Sequence, residues 1–99
     1  MELRQLRSFC VAARLQSISK AAEFLDIGQP TVTTHIKKLE EELGLILFDR
    51  IKRPILLTTS GESLNELAIP LIDGIDNLTA NTSKLILESP VLIGATYDI

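Results

Sequence analysis

Two short stretches of this sequence concentrate side chains that can hydrogen-bond or carry positive charge. One is Gln29-Pro30-Thr31-Val32-Thr33-Thr34-His35-Ile36-Lys37-Lys38, the other Lys52-Arg53. Threonine hydroxyls donate and accept, their methyl groups offer an apolar contact, and lysine and arginine attract anions. Such a set suits recognition of a polar, anionic surface better than bond-breaking. The chain has one histidine, His35, and one cysteine, Cys10. That leaves no material for a zinc site or a nucleophile with its base. Paired carboxylates on one face and a glycine-rich phosphate loop are also missing, so an enzyme is not expected.

The elements that position these residues follow from apolar spacing. Leu3, Leu6, Phe9, Cys10 and Ala13 form the stripe of a first amphipathic helix, with Arg4, Arg7 and Arg14 off it. Ser19 is a candidate N-cap for a short second helix through Ala21, Ala22 and Leu25. The paired alanines allow another helix close by. Asp26-Ile27-Gly28 ends this helix, Gly28 being the residue that tolerates positive φ.

Pro30 opens a third helix where its missing N–H costs nothing, and Gly44 closes it. Val32, Ile36, Leu39 and Leu43 recur as its buried stripe. At about 100° per residue, Pro30, Thr34, Lys37 and Glu41 point directly away, flanked by Thr31, Thr33 and Lys38. The acidic triplet Glu40-Glu41-Glu42 reads as a solvated face salt-bridged to the lysines. His35 flanks the stripe, where packing or a phosphate contact suits it better than metal ligation. Cys10 reads as a small core residue rather than a redox sensor.

Residues 47–51 and 55–58 are short β-compatible runs, joined by the turn Lys52-Arg53-Pro54. They predict a two-stranded hairpin with two positive charges at its tip, kept to an edge role by Pro54. Thr59-Ser60-Gly61-Glu62 is a capping box opening a long helix to about Glu88. Leu64, Ala68, Leu71, Ile75, Leu78, Thr82 and Leu85 alternate in steps of four and three along it, the seam of a coiled coil. Such a helix is roughly 40 Å long and too apolar on one side to stand alone. Pro70 and Gly74 predict a kink or break. Ser89-Pro90 ends it, and Val91-Leu92-Ile93-Gly94-Ala95 reads as the first strand of a further domain.

The charge supports this division. The whole chain carries −3. Residues 1–60 hold nine basic and seven acidic side chains, net +2, whereas residues 61–99 hold one basic and six acidic, net −5. Charge asymmetry between halves hints at a contacting surface joined to a part with another task. A single cysteine argues against a disulfide scaffold. No apolar run approaches the length that spans a bilayer, and Met1-Glu2-Leu3-Arg4 lacks a signal-peptide core. A cytoplasmic protein without membrane contact is expected.

Helix, short helix, tight turn, polar-faced helix and basic-tipped hairpin make a mainly α fold, a winged helix-turn-helix followed by a long coiled-coil helix. That order matches DNA reading. A helix fits the major groove with its N-terminal residues at base edges, its positive dipole end lies toward phosphates, and Arg53 is long enough for a narrow minor groove. A dimeric helix-turn-helix adaptor, contacting proteins and no DNA, is the alternative.

The residues also resemble a known family. Ser19-Lys20-Ala21-Ala22, Gln29-Pro30-Thr31-Val32-Thr33, Ile36-Lys37-Lys38-Leu39-Glu40-Glu41-Glu42-Leu43-Gly44, Leu47-Phe48-Asp49-Arg50 and Leu57-Thr58-Thr59-Ser60-Gly61 fall in the order and spacing of the LysR-type transcriptional regulators. The resemblance covers about residues 1–88. It implies a DNA-binding domain over 1–59, a dimerisation linker helix over 60–88, and at 89–99 the start of an effector-binding domain that this chain lacks. It implies that Gln29, Pro30, Thr31, Thr33, Thr34 and Lys37 face the major groove of double-stranded promoter DNA and Arg53 the minor groove; the residue types themselves suit Lys37 and Lys38 to phosphates or a guanine. Leu64, Leu67, Leu71, Ile75, Leu78 and Leu85 would pair with a second subunit, giving a homodimer or, in a full-length protein, a tetramer. No cofactor is expected in these 99 residues; a small-molecule co-inducer of the full-length protein is implied. The sequence departs from the family pattern at Thr33, where serine is usual, and at Thr34-His35, where an arginine–glutamine pair is common. Losing that arginine removes a candidate phosphate or base contact.

Overall fold

The computed structural model of the chain describes residues 1–49 and 51–88, with side chains through Thr82. Its order is α1 (Leu3–Leu15), α2 (Ile18–Leu25), α3 (Gln29–Leu43), β1 (Phe48–Asp49), β2 (Leu56–Leu57) and α4 (Thr59–Glu88). This is the expected mainly α winged helix-turn-helix with its long trailing helix. Residues 89–99, where a further strand was expected, lie outside the described residues, as does Arg50.

α1 is the centre of the fold and touches α2, α3 and α4. Burial on several sides rotates its inner face from the expected stripe. Gln5, Leu6, Ser8, Phe9, Val11 and Ala12 are buried, Cys10 and Ala13 are half-buried, and Leu3 is exposed. The core continues through Ala21, Ala22, Val32, Ile36, Leu39, Leu47 and Phe48, the Phe9 and Phe48 rings meeting at 5.4 Å between centroids. The two alanines of α2 are almost fully buried and admit α1 and α3, as the sequence predicts.

The helix boundaries correct two expectations. Ser17, not Ser19, caps α2: it is extended at φ −161° and its hydroxyl accepts from the Lys20 N–H at 3.1 Å. Ser19 already lies inside the helix. The positive φ that ends α2 belongs to Asp26, at 58°, where a short polar side chain tolerates the left-handed region. Gly28 has φ −75° and is the N-cap of α3 instead. At the other end of α3, Gly44 does adopt φ 68°, and its N–H bonds back to the Glu40 carbonyl.

The wing strands are shorter than predicted, two residues each, antiparallel with Phe48 opposite Leu57 and Asp49 opposite Leu56. The Asp49 carboxylate accepts from the Ile51 N–H at 3.1 Å. That bond turns the chain away from the ladder. Pro54 offers no N–H to resume it.

The cap of α4 is Thr58 rather than Thr59. Its Oγ1 accepts from the Gly61 N–H at 3.0 Å and donates to the Ile46 carbonyl. Gly61 is buried, and a methyl group there would collide with the Leu47 carbonyl oxygen. The expected break at Pro70 does not occur: α4 runs unbroken through it. Proline withholds its N–H from the Glu66 carbonyl and crowds it with its ring; both Glu66 and Pro70 are exposed residues, on the solvent side of the helix. Ala68 and Ile72, buried on either side of Pro70, hold this stretch against the core. An Arg7–Asp76 pair, bidentate at 3.0 and 3.2 Å, ties α4 to α1 farther along.

Candidate nucleic-acid interface

α3 presents three kinds of surface around its buried stripe of Val32, Ile36 and Leu39. Leu43, the fourth expected member of that stripe, is half-buried. On the α1 side, the His35 Nδ1 lies 2.7 Å from the Ser8 hydroxyl. The Glu42 carboxylate on that side accepts from the Met1 ammonium at 2.6 Å. On the wing side, the Glu40 carboxylate accepts from the Leu47 N–H at 2.8 Å. The third surface faces away from the protein.

That outward surface holds most of the expected contact residues. Gln29, Pro30, Thr31, Thr34, Lys37 and Lys38 are exposed and Thr33 is half-buried. Gln29, Pro30, Thr33, Thr34 and Lys37 line one open groove. Thr33 also lines a second depression together with Ile36, Phe48, Arg53 and Ile55. The structure therefore brings the wing arginine to the side of the molecule on which α3 is exposed. Arg53 is exposed, and its guanidinium donates to the Lys52 carbonyl at 3.0 Å. Thr31 and Lys38 lie apart from this groove, on the flank nearer α1.

The acidic triplet does not form the salt-bridged face that the sequence suggests. Among the described residues, neither Lys37 nor Lys38 is in an ion pair. Glu40 and Glu42 are engaged on the two flanks instead, so the lysines stay available to an external anion. His35 packs against α1, one of its two expected roles.

α4 divides differently. Ala68 and Ile72 are buried against the domain and Leu64 is half-buried on the same core. Leu67, Leu71, Ile75 and Leu78 are exposed, Leu71 at 61% and Leu78 at 65%. The predicted seam thus splits. Its first members, Leu64 and Ala68, pack within the chain, while the later leucines leave an apolar strip facing solvent. The side chain of Leu85 lies outside the described residues.

Cys10 sits between these regions, half-buried near α4. Burial pushes its thiol up to about 11, the Asp73 carboxylate adding to the rise and Arg7 opposing it. It stays protonated at neutral pH and behaves as the small core residue that the sequence suggests. Among the described residues no cluster of histidine, cysteine and carboxylates could hold a metal, and no helix is long and apolar enough to cross a membrane.

Comparison with known proteins agrees with this arrangement. Residues 3–62 match the pattern of the bacterial regulatory helix-turn-helix protein, lysR family. The HTH-type transcriptional regulator BenM of Acinetobacter baylyi is 39% identical over 95 residues, 95% of this chain and 31% of BenM. CitR of Bacillus subtilis, another HTH-type transcriptional regulator, is 39% identical over 85 residues, 86% of this chain and 29% of CitR. This chain thus spans about a third of the length of these curated relatives. The crystal structure of the BenM DNA-binding domain with catB site 1 DNA superposes with a TM-score of 0.80 at 40% identity, covering 86% of this chain and 94% of that one. DarR of Vibrio fischeri, solved in complex with DNA, gives 0.76 at 34% identity over 86% of this chain and 29% of DarR. With five sequence blocks, a winged helix-turn-helix and a pattern spanning residues 3–62 in agreement, the chain belongs to the LysR family of bacterial regulatory helix-turn-helix proteins.

Proposed function

We propose that this chain is the DNA-binding portion of a sequence-specific transcriptional regulator. The observation that carries this reading is the single outward face of α3, where Gln29, Pro30, Thr33, Thr34 and Lys37 line one groove beside the wing. Supporting it is the likeness to the BenM DNA-binding domain, which was solved on DNA. Gln29, Pro30, Thr31, Thr33 and Thr34 read base edges in the major groove, Lys37 and Lys38 take phosphates or a guanine, and Arg53 enters the minor groove. Residues 1–59 form the reading head and 60–88 the linker helix. Two copies pair through Leu67, Leu71, Ile75 and Leu78, with Leu85 farther along, and place two α3 helices on one partly palindromic site. The protein works in the cytoplasm and has no catalytic role. In a full-length protein, a small molecule bound beyond residue 88 would act as co-inducer, and dimers could associate further into tetramers.

The test is binding to fragments of the source genome at several salt concentrations. If both copies of Lys37, Lys38, Lys52 and Arg53 each displace about one condensed cation on binding, the logarithm of affinity falls with the logarithm of salt at a slope of about −7. Arg53→Ala should weaken binding to all sequences and flatten that slope by about 1 to 2. An affinity that is absent at low salt, with dimers intact, would refute DNA reading and leave a protein-contacting adaptor.

A further inference from the structure

The reading head holds one polar contact that the proposed function does not by itself explain. Ser8 lies in the middle of α1, 1% exposed, and its hydroxyl sits 2.7 Å from the His35 Nδ1 on α3. His35 is the neighbour of Thr34 and sits one helical turn after Thr31. We propose that Ser8 and His35 are positioning residues: their hydrogen bond fixes the roll of α3 about its own axis and so helps decide which DNA sequences the outward face prefers. This rests on the DNA-reading function above.

The argument is one of directionality. The stripe of Val32, Ile36 and Leu39 seats α3 by apolar burial, whose driving force is non-directional, and by close packing that limits its rotation. A roll of about 10° displaces the outer edge of a helix by roughly 1 Å. That is twice the roughly 0.5 Å range of good hydrogen-bond distances. Core packing resists such a roll but carries no directional bond to set the angle to the tolerance that base edges require. Directional bonds on the flanks can set the angle. The wing flank has the Glu40 carboxylate on the Leu47 N–H, toward the C-terminal half of α3. The Glu42–Met1 pair on the other flank lies at the C-terminal end and is partly exposed. Along α3, Ser8–His35 is the contact nearest Thr33, Thr34 and Lys37, and its Ser8 anchor is as fully buried as Leu47 on the wing flank. A serine hydroxyl can donate to an imidazole nitrogen or accept from a ring N–H, so the contact can form with either tautomer of His35.

The experiment measures the ratio of affinity for the chain's best duplex, selected from a random pool, to that for a scrambled duplex, alongside the thermal midpoint and the salt slope. For His35→Leu and for Ser8→Ala, the ratio should fall about tenfold, the scale of one lost base contact, with affinity for scrambled DNA and the salt slope unchanged. The double variant should lose no more than either single one, because both break the same bond. His35→Asn, whose amide reaches about where Nδ1 lies, should recover most of the preference. Ser8→Ala removes one oxygen and carries the test if His35→Leu fails to fold. A lowered midpoint with the preference intact overturns the proposal, as do additive losses. If the unaltered chain itself shows no preference for any duplex, the DNA-reading function fails and this proposal falls with it. A preference that survives both single variants removes this proposal alone.

Discussion

α3 and α4 are written with the same helical period, and each buries one stripe against the same core, yet what they leave exposed is opposite in character. α3 leaves threonines, a glutamine and two lysines, with Glu41 and Glu42 at its C-terminal end. α4 leaves Leu67, Leu71, Ile75 and Leu78. A surface of hydroxyls and cations keeps its water until a strongly charged polymer displaces it. A strip of leucines gains by meeting another strip. The buried stripe of a helix therefore tells where it sits in the fold, and the exposed remainder tells what class of partner it meets. Under the proposed function the two helices separate reading from pairing, even though both dock on α1.

The largest test of this contrast replaces the apolar remainder. Leu71→Asp with Leu78→Asp should raise the dimer dissociation constant about a thousandfold, or about 4 kcal/mol, as read by sedimentation. Helix content in the circular dichroism spectrum should be kept, because both residues are exposed. Persistence of the dimer would mean that pairing lies elsewhere and that the contrast is wrong.

Next in size is the seam between the two regions. Gly61→Ala drives a methyl group into the Leu47 carbonyl oxygen and should cost about 3 kcal/mol in chemical denaturation. Gly74→Ala, with no atom within 4 Å of the added carbon, should instead stabilise by up to about 1 kcal/mol, the ordinary gain of alanine over glycine in a helix. Equal effects at the two glycines would remove the close approach as the explanation. The smallest effect belongs to Arg7→Ala. Loss of the bidentate bond to Asp76, on partly exposed side chains, should cost about 0.5 kcal/mol and shrink in high salt. A larger, salt-independent loss would show that Arg7 acts by packing.

Much of this architecture is written locally in the chain. Pro30 and Gly44 bracket α3, the alanine pair shapes α2, and Lys52-Arg53 marks the wing tip. The two misplaced N-caps share one cause: chemically equivalent neighbours. Ser17 and Ser19, or Thr58 and Thr59, are interchangeable as caps on paper, and only the backbone entering the helix decides between them. Asp26 took the left-handed turn that Gly28 was expected to take because the helix ended two residues earlier. Contacts between distant segments were invisible for another reason. Ser8–His35, Arg7–Asp76 and Glu40 on the Leu47 N–H join side chains whose meeting depends on how helices pack, and nothing in the spacing of either partner records the other. The exposed face of α3 was legible because exposure follows directly from the stripe. The division of α4 between an inner and an outer face was not, because a single apolar seam conceals two neighbours.

The close fit of Gly61 under the Leu47 carbonyl has a mechanical consequence. That carbonyl also accepts the Thr58 N–H at 3.0 Å, so the root of the wing and the first turn of α4 are clamped to one another. A tilt of α4 carries the wing with it. If two copies pair through α4 and their wings grip DNA as proposed above, the two long helices would act like the hinged arms of a caliper and the wings like its jaws. A change of a few degrees in how the arms cross would then reset the span between the jaws, and with it the length of DNA that both could grip at once.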